Sequence, residues 1–285
     1  MLPLLFLLCA APPTGDLSTR FAEIAHGAAG KVGAGVMVIE TGAVATFHGA
    51  DQFPMQSVYK FPIAMATLRL VDQGKLRLDQ QMPVAKSELA PAGLHSPIRD
   101  LHPEGTSLSV RDLVRYAVAE SDGTASDVLL RLSGGPESVT RYLRDLGIKG
   151  VMVATTEAEM SRGPMVQYRN WATPDSMLEL LRAFHAGRGL SAASHKLLDD
   201  DMAESTPGPK RIKGLLPAGT RVAHKTGTSG TEGKLTRATN DVGIVTLPNG
   251  RHLAIAIFVS DSTATQQVRE QVIAEIARAA WNHWE

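Results

Sequence analysis

The predicted strands of this chain lie near its two ends, and helical patterns fill the part between them. Two strands are predicted at residues 32–40 and 43–48, and three more at 221–228, 239–247 and 252–260. Since two strands alone are not stable, we expect both ends of the chain to share one sheet. The sequence therefore predicts an α/β (α+β) fold, in which a five-stranded antiparallel sheet flanked by helices lies beside an all-α region.

The helical middle sets the predicted domain division. We assign residues 14–54 and 206–285 to the sheet region and residues 55–205 to the all-α region. Residues of about 150–172 lack periodicity, and loops of that length in a compact domain are usually functional. A cleft between the two regions is the expected ligand site. Apolar periodicity and capping residues predict helices at 17–31, 55–73, 109–119, 124–132, 136–146, from 173 onward, 191–202 and 265–284.

Composition excludes several classes of function. The 29 basic and 29 acidic side chains cancel, so the chain has no net charge with which to attract nucleic acid. The single cysteine, Cys9, excludes an internal disulfide framework and a cysteine-based zinc site. The nine histidines lack H-x-H or H-E-x-x-H spacing, which disfavours a metallohydrolase. We therefore expect no metal, no other cofactor and no nucleic-acid partner.

The first 13 residues resemble a signal peptide. An apolar run from Leu4 to Ala11 is too short to span a bilayer, and small residues near Ala10 offer a cleavage site. No later segment has 18 uninterrupted apolar residues. We therefore expect an exported protein, periplasmic or secreted, without a membrane span.

Three short motifs carry hydroxyl and amine groups. Residues 57–60 form an S-x-x-K motif at a predicted helix start, where Ser57 and Lys60 share one helix face. Residues 121–123 read S-D-G in a predicted turn, and residues 225–228 read K-T-G-T at the end of a predicted strand. Taken singly, each motif has an ordinary structural interpretation: a helix cap, a turn and a strand edge.

The order of these three motifs is that of the penicillin-recognising serine enzymes. On these motifs, the chain resembles the class A serine β-lactamases over nearly its whole length after the leader. The resemblance implies a β-lactamase and penicillin-binding-protein type of fold. It also implies hydrolysis of penicillin- and cephalosporin-type antibiotics, antibiotic resistance, no cofactor and a monomeric state.

The family also has a glutamate in an omega-shaped loop, usually as E-x-x-L-N. By counting back from Thr173, the resemblance places Glu157 at this position and points Glu159 elsewhere. Residues 167–174 resemble the extended-spectrum branch, whose omega loop has a variant fold. The omega loop is expected within residues of about 150–172.

The resemblance implies a role for each motif residue. Ser57 would be the nucleophile, Lys60 would take its proton or tune its field, and Glu157 would activate the hydrolytic water. Ser121 would pass a proton to the leaving nitrogen, and Lys225 would hold Ser121 and attract the substrate carboxylate.

Substrate binding is assigned on the same ground. The backbone N–H groups of Ser57 and Thr228 would form the oxyanion hole, and the hydroxyls of Thr226 and Thr228 would bind the substrate carboxylate. Thr239 stands where many relatives have an arginine, so Arg211 is the expected alternative contact of that carboxylate.

Other positions depart from the family pattern. Gly123 replaces the asparagine of S-D-N, and Ser161 replaces the asparagine that helps to hold the hydrolytic water. We expect activity with slow deacylation. Gln56 and Ser229 occupy the places of a disulfide found in some carbapenem-hydrolysing relatives, so that disulfide is absent.

Two alternative functions remain open from the sequence. One is a D-alanyl-D-alanine peptidase or esterase that is acylated but does not turn over, and dependence on Glu157 distinguishes it from a β-lactamase. The other is a non-catalytic β-lactam-binding module, which the exchanges at Gly123 and Ser161 keep open.

Overall fold

A computed structural model describes residues 16–285, so the predicted signal peptide at 1–13 lies outside the described residues. Short 3₁₀ turns occur between several of the elements. The α-helices are α1 (Leu17–Ala25), α2 (Lys60–Asp72), α3 (Pro97–Leu101), α4 (Val110–Val118), α5 (Gly123–Leu132), α6 (Pro136–Asp145), α7 (Glu157–Met160), α8 (Pro174–His185), α9 (Ala192–Ala203) and α10 (Gln266–Trp284). The strands are β1 (Lys31–Val38), β2 (Val44–Phe47), β3 (Phe53–Pro54), β4 (Gln81–Ala85), β5 (Gly105–Ser109), β6 (Val151–Met152), β7 (Trp171–Ala172), β8 (Val222–Thr228), β9 (Thr231–Glu232), β10 (Leu235–Thr246) and β11 (His252–Ser262).

Both ends of the chain contribute to one antiparallel sheet, which confirms the predicted fold class. The strand order is β2–β1–β11–β10–β8, and the register pairs Val36 of β1 with Ile255 of β11. The short strand β9 pairs with β10 and makes the sheet six-stranded rather than five-stranded. The pattern missed β9 because its two residues are exposed and show no apolar alternation.

Alternation along β11 gives the sheet two apolar faces. Ile255 and Ile257 pack with Phe21 of α1 and Trp281 of α10 on one face. Phe258 lies in the cluster on the other face, where it stacks on Phe53 with ring centroids 5.8 Å apart. Successive strand residues point to opposite faces, so this strand is buried on both sides.

The middle of the chain is not wholly helical, which corrects the expected all-α region. β4 and β5 form a two-stranded antiparallel sheet within residues 81–109, and β3, β7 and β6 form a small three-stranded sheet. These pairs show no periodicity in the sequence, because β3, β6 and β7 are only two residues long and β4 contains a proline. Because β3 precedes residue 55 and pairs with β7, strand pairing crosses the expected boundary; the domain division stays a proposal.

Two helix predictions needed correction at one end. The first helix ends at Ala25 rather than at residue 31, because Ala29 adopts a left-handed conformation before β1 begins. The helix predicted from residue 55 begins as a 3₁₀ turn over Gln56–Tyr59 and becomes α-helical at Lys60.

Side-chain caps fix where the helices near the cleft begin. Ser109, Asp122, Thr156 and Thr173 accept hydrogen bonds from backbone N–H groups in the first turns of α4, α5, α7 and α8. Such caps satisfy donors that the helix itself leaves free. Within residues 16–285, no helix combines the length and apolar character that a membrane span needs.

Candidate active site

Two adjoining cavities lie where the edge strand β8 meets the first turns of α2 and α7 and the turn before α5. We call the cavity of about 460 Å³ the loop-side cavity; its lining includes Ser57, Lys60, Glu157, Met160 and Ser161. The strand-side cavity, of about 420 Å³, includes Ser57, Ser121, Thr206, Thr226 and Thr228 in its lining. Ser57, Thr228 and His95 line both, so Ser57 stands at the junction of the cavities.

Lys60 is a buried amine in contact with Ser57. The 3₁₀ turn over Gln56–Tyr59 places Ser57 just before α2, and Lys60 Nζ donates to Ser57 Oγ over 3.1 Å. The same nitrogen donates to the backbone oxygen of Ser121 over 2.7 Å. With 1% of its surface exposed, Lys60 depends on these partners because a buried ammonium without partners is costly.

Glu157 supplies the opposite charge. Its Oε1 lies 2.9 Å from Lys60 Nζ, and both side chains are buried. Glu157 is the first residue of α7, where the positive end of the helix favours a carboxylate. The structure therefore brings Ser57, Lys60 and Glu157 together around one nitrogen.

Ser121 lies between two lysines. Its backbone is left-handed, with φ at 61°, and its hydroxyl accepts a 2.8 Å hydrogen bond from Lys225 Nζ. Lys225 also donates to the backbone oxygen of Thr226. Burial, and then the charge of Lys60, hold the pKa of Lys225 well below its ordinary value. The neighbouring Asp122 caps α5 and also accepts from the backbone of Ile98, which fixes the turn.

The end of β8 presents two threonines, and Arg211 supports one of them from behind. Thr226 and Thr228 both line the strand-side cavity, and Arg211 Nη2 donates to Thr228 Oγ1 over 2.7 Å. Arg211 is buried, pairs with Glu270 and does not line either cavity. Direct contact of Arg211 with a substrate carboxylate therefore stays a prediction.

The two departures from the family pattern lie in different surroundings. Ser161 is exposed at the loop-side cavity, and its hydroxyl donates to the backbone oxygen of Ala158. Gly123 is buried, and its N–H donates to the backbone oxygen of His95. A Cβ at Gly123 would lie 3.2 Å from that oxygen and 3.5 Å from Glu157 Cγ. The close approach of the His95 backbone therefore favours glycine at this position.

Glu159 and Thr239, which the sequence analysis named, and the buried His224 lie apart from the Ser57–Lys60–Glu157 group. Glu159 accepts from the Thr156 N–H and completes the cap of α7. His224 is fully buried and hydrogen-bonds Asp241, whereas the neighbouring Lys225 reaches Ser121. Thr239 accepts from Arg269 Nε.

The places of the absent disulfide are filled by hydrogen bonds. Gln56 Nε2 donates to Gln167 Oε1 over 2.5 Å, which ties the turn before Ser57 to the segment before β7. Ser229 Oγ accepts from the backbone N–H groups of Arg237 and Ala238, which holds the turn after β8 against β10.

Asp127 is a supporting residue that the sequence did not reveal. Its carboxylate accepts from the backbone N–H groups of Glu157 and Ala158, at 2.8 and 3.0 Å. The pKa of Asp127 is raised to about 6, mainly because the carboxyl group is buried. The two hydrogen bonds act in the opposite direction, and the negative charge of Glu157 adds to the rise. Asp127 fits the pattern of α5 as an ordinary polar residue, so no local signal marks it.

Asn170 is a second supporting residue that the sequence did not reveal. This buried amide accepts from the N–H groups of Ala154 and Thr155 and donates to the Thr155 oxygen. Its own backbone oxygen accepts from Met55, two residues before Ser57. Asn170 thus connects the two ends of the segment that carries Glu157 with the chain leading to Ser57.

The raised pKa of Asp127 predicts a pH-dependent contribution to stability. The folded protein binds this proton more tightly than the unfolded chain, so the contribution is largest below about pH 4 and falls as the pH rises to about 6. Urea unfolding of wild type and Asp127→Asn from pH 4 to pH 7 measures it. We expect the wild-type free energy of unfolding to fall relative to that of the variant as the pH rises; parallel profiles would contradict the assignment.

The packing around Gly123 predicts that an asparagine, which the family has at this position, would destabilise the folded protein. We expect Gly123→Asn to lower the free energy of unfolding by about 1–3 kcal/mol, because the side chain would displace the His95 backbone. Gly163→Asn is the matched control, since nothing lies within 4 Å of a Cβ at Gly163. Equal urea midpoints for the two variants would contradict this expectation, because the segment around His95 would then accommodate the larger side chain without loss of stability.

Comparison with known proteins agrees with the geometry. The model of a family described as "Beta-lactamase enzyme family" matches residues 16–284. β-Lactamase VEB-1 of Pseudomonas aeruginosa is 36% identical over 273 residues, which cover 95% of this chain and 91% of that protein. The extended-spectrum β-lactamase PER-1 of the same organism is 43% identical over 231 residues, which cover 81% and 75%.

Solved structures give the same result. A β-lactamase from Chitinophaga pinensis superposes with a TM-score of 0.92 at 45% identity, covering 95% of this chain and all of that one. The TLA-3 extended-spectrum β-lactamase has a TM-score of 0.91 at 40% identity, covering 94% and 98%. On the family match, the relatives and the shared fold, this chain belongs to the class A β-lactamases.

Proposed function

We propose that this protein hydrolyses the β-lactam amide bond of penicillin- and cephalosporin-type antibiotics through an acyl-enzyme on Ser57, and so confers resistance. The observation that carries the proposal is the contact of one buried amine, Lys60, with both Ser57 Oγ and Glu157 Oε1 beside an open cavity. A nucleophile, a base and room for a water are the components that acylation and deacylation require.

Acylation begins when Ser57 Oγ attacks the lactam carbonyl carbon. Transfer of a proton from Lys60 to Glu157 over 2.9 Å leaves a neutral amine, which then accepts the serine proton. The new bond is Oγ–C, and the carbonyl electron pair moves onto the oxygen of the tetrahedral intermediate. The position of Ser57 at the junction of the two cavities leaves space for the substrate on both sides.

The oxyanion is held by the backbone N–H groups of Ser57 and Thr228. The glycine at position 227 supports this assignment, because the backbone there lies close to the turn that carries Ser57. A Cβ on residue 227 would lie 2.2 Å from the backbone oxygen of Met55. The missing side chain lets the end of β8 approach the nucleophile. One such donor typically contributes about 3 kcal/mol of transition-state stabilisation.

Collapse of the intermediate breaks the C–N bond, and Ser121 donates its hydroxyl proton to the leaving nitrogen. Lys60 then gives Ser121 the proton it took from Ser57, and the proton on Glu157 returns to Lys60, so that Glu157 is again a carboxylate before deacylation. Lys225, which donates to Ser121 Oγ, orients that hydroxyl and supplies positive charge toward the substrate carboxylate. The carboxylate binds the hydroxyls of Thr226 and Thr228 in the strand-side cavity. Arg211 contributes through its hydrogen bond to Thr228 and through its charge.

Deacylation takes place on the loop side. Glu157 removes a proton from a water that attacks the ester carbonyl, and the Ser57 oxygen leaves with a proton returned through Lys60. Ser161 contributes a hydroxyl at the cavity where the family has a longer amide. Because the hydroxyl reaches less far, we expect deacylation to limit turnover. Residues of about 150–172 form the omega loop in this proposal.

Kinetics with a chromogenic cephalosporin test the proposal. We expect the parent to turn over, Ser57→Ala to lose at least about 1,000-fold in kcat, and Glu157→Gln to release one equivalent of product and then stall. Glu104→Gln is the control, because Glu104 is an exposed residue paired with Lys86. Full turnover by Glu157→Gln would exclude Glu157 as the deacylation base.

The parent enzyme itself decides between hydrolysis and simple acylation. Steady turnover after the first equivalent supports a β-lactamase. A single burst without turnover would contradict the proposed hydrolysis and leave a β-lactam-binding protein or a peptidase of the same fold.

Export and the monomeric state are parts of the proposal that rest on the sequence and on the family. The relatives named above are β-lactamases, and residues 1–13 resemble a signal peptide. Cell fractionation tests export; enzyme confined to the cytoplasm would contradict it.

A further inference from the structure

Three metal-ligating side chains from distant parts of the chain meet at one end of the sheet. Glu40 follows β1, His252 begins β11 and His185 ends α8. One potential ligand atom from each of the three lies within 4.8 Å of the others. None of the three lines the loop-side or the strand-side cavity, so the cluster is separate from the catalytic residues.

From this cluster we propose a binding site for a divalent transition-metal ion of the zinc type, with two imidazoles and one carboxylate as protein ligands. Imidazole nitrogens and a carboxylate oxygen are ligands that zinc takes in proteins, and three protein ligands leave a fourth position for water. Glu40 is 37% exposed, so an ion can enter from solvent and keep that water.

The carboxylate of Glu40 is already positioned. Its Oε2 accepts the backbone N–H of His252 at 3.0 Å, and its Oε1 lies 2.6 Å from His252 Nδ1. Ile39 also donates to the backbone oxygen of His252, which holds the two strands in register here. A ligand oxygen oriented by a backbone donor resembles the outer-shell support found around metal sites.

His185 closes the site from the helical side. Its ring lies 4.4 Å from the ring of His252, centroid to centroid, with a tilt of 46°. Ligands of a tetrahedral zinc ion lie about 3.3 Å apart, given metal–ligand bonds of about 2.0–2.2 Å. The ion would replace the Glu40–His252 hydrogen bond and draw His185 nearer, which are small side-chain movements for half-exposed groups.

Binding would join elements that now only pack together. Helix α8 packs against β1 and β11, and the ion would bridge His185 of the helix to residues adjoining both strands. A ligand that binds only the folded protein raises its stability. We therefore expect zinc to raise the melting temperature without changing the rate of β-lactam hydrolysis.

Calorimetric titration of the metal-free protein with Zn²⁺ tests the site. The full chain is used without an affinity tag and with Cys9→Ser, so that no added histidine or free thiol contributes. We expect one ion per chain, a higher melting temperature with Zn²⁺, and no response to Mg²⁺, which prefers oxygen ligands. Absence of saturable one-to-one binding would overturn the proposal.

Single replacements locate the ion. His185→Gln and His252→Gln should each weaken Zn²⁺ binding at least about 10-fold and remove the rise in melting temperature. His26→Gln, at an exposed histidine outside the cluster, should change neither. Equal losses in all three variants, or unchanged binding in the first two, would place the ion elsewhere and refute the site. Glu40→Gln gives the same test if a histidine variant fails to fold.

Discussion

The cleft at Ser57 depends on one buried positive charge, that of Lys60. Its ammonium contacts Ser57 Oγ, the Ser121 oxygen and Glu157 Oε1, which belong to three separate segments of the chain. A buried charge is tolerated only when it is paired and hydrogen-bonded, so these segments must close around it. The left-handed backbone of Ser121 is a strain of about 1–3 kcal/mol. Lysines hold both its oxygen atoms, which keeps it in that conformation.

The architecture explains why distant segments can meet at this charge. Ser57, Ser121 and Glu157 come from helix starts in the middle of the chain, whereas Lys225 comes from a strand near its end. Because both chain ends build one sheet, β8 forms an edge of that sheet beside the first turn leading into α2. Two lysines then share Ser121, and their proximity adds to burial in lowering the pKa of Lys225. One serine is thereby held between an amine on each side.

The sequence predicted what short-range patterns encode. The fold class, the strands predicted at 239–247 and 252–260, and the helix predicted from residue 109 follow from periodicity and cap chemistry, and they agree with the structure. The pairing of β4 with β5 and that of β3 with β7 were missed, because β3 and β7 are too short to show a period and β4 and β5 do not alternate clearly. At the site, the ordered motifs and the family resemblance together predicted the residues that the structure brings together around Lys60. Asp127 and Asn170 were missed because each acts by binding backbone groups that become neighbours only after folding.

Separate rates of acylation and deacylation in Lys60→Met test this account most directly. Methionine is also unbranched, is one heavy atom shorter than lysine and carries no charge, so the contacts with Ser57, Ser121 and Glu157 are lost together. We expect both steps to slow by at least about 100-fold while the protein stays folded, since Lys60 moves a proton in each of the proposed steps. If either step kept its wild-type rate in a folded variant, Lys60 would not be the group on which both halves of the cleft depend.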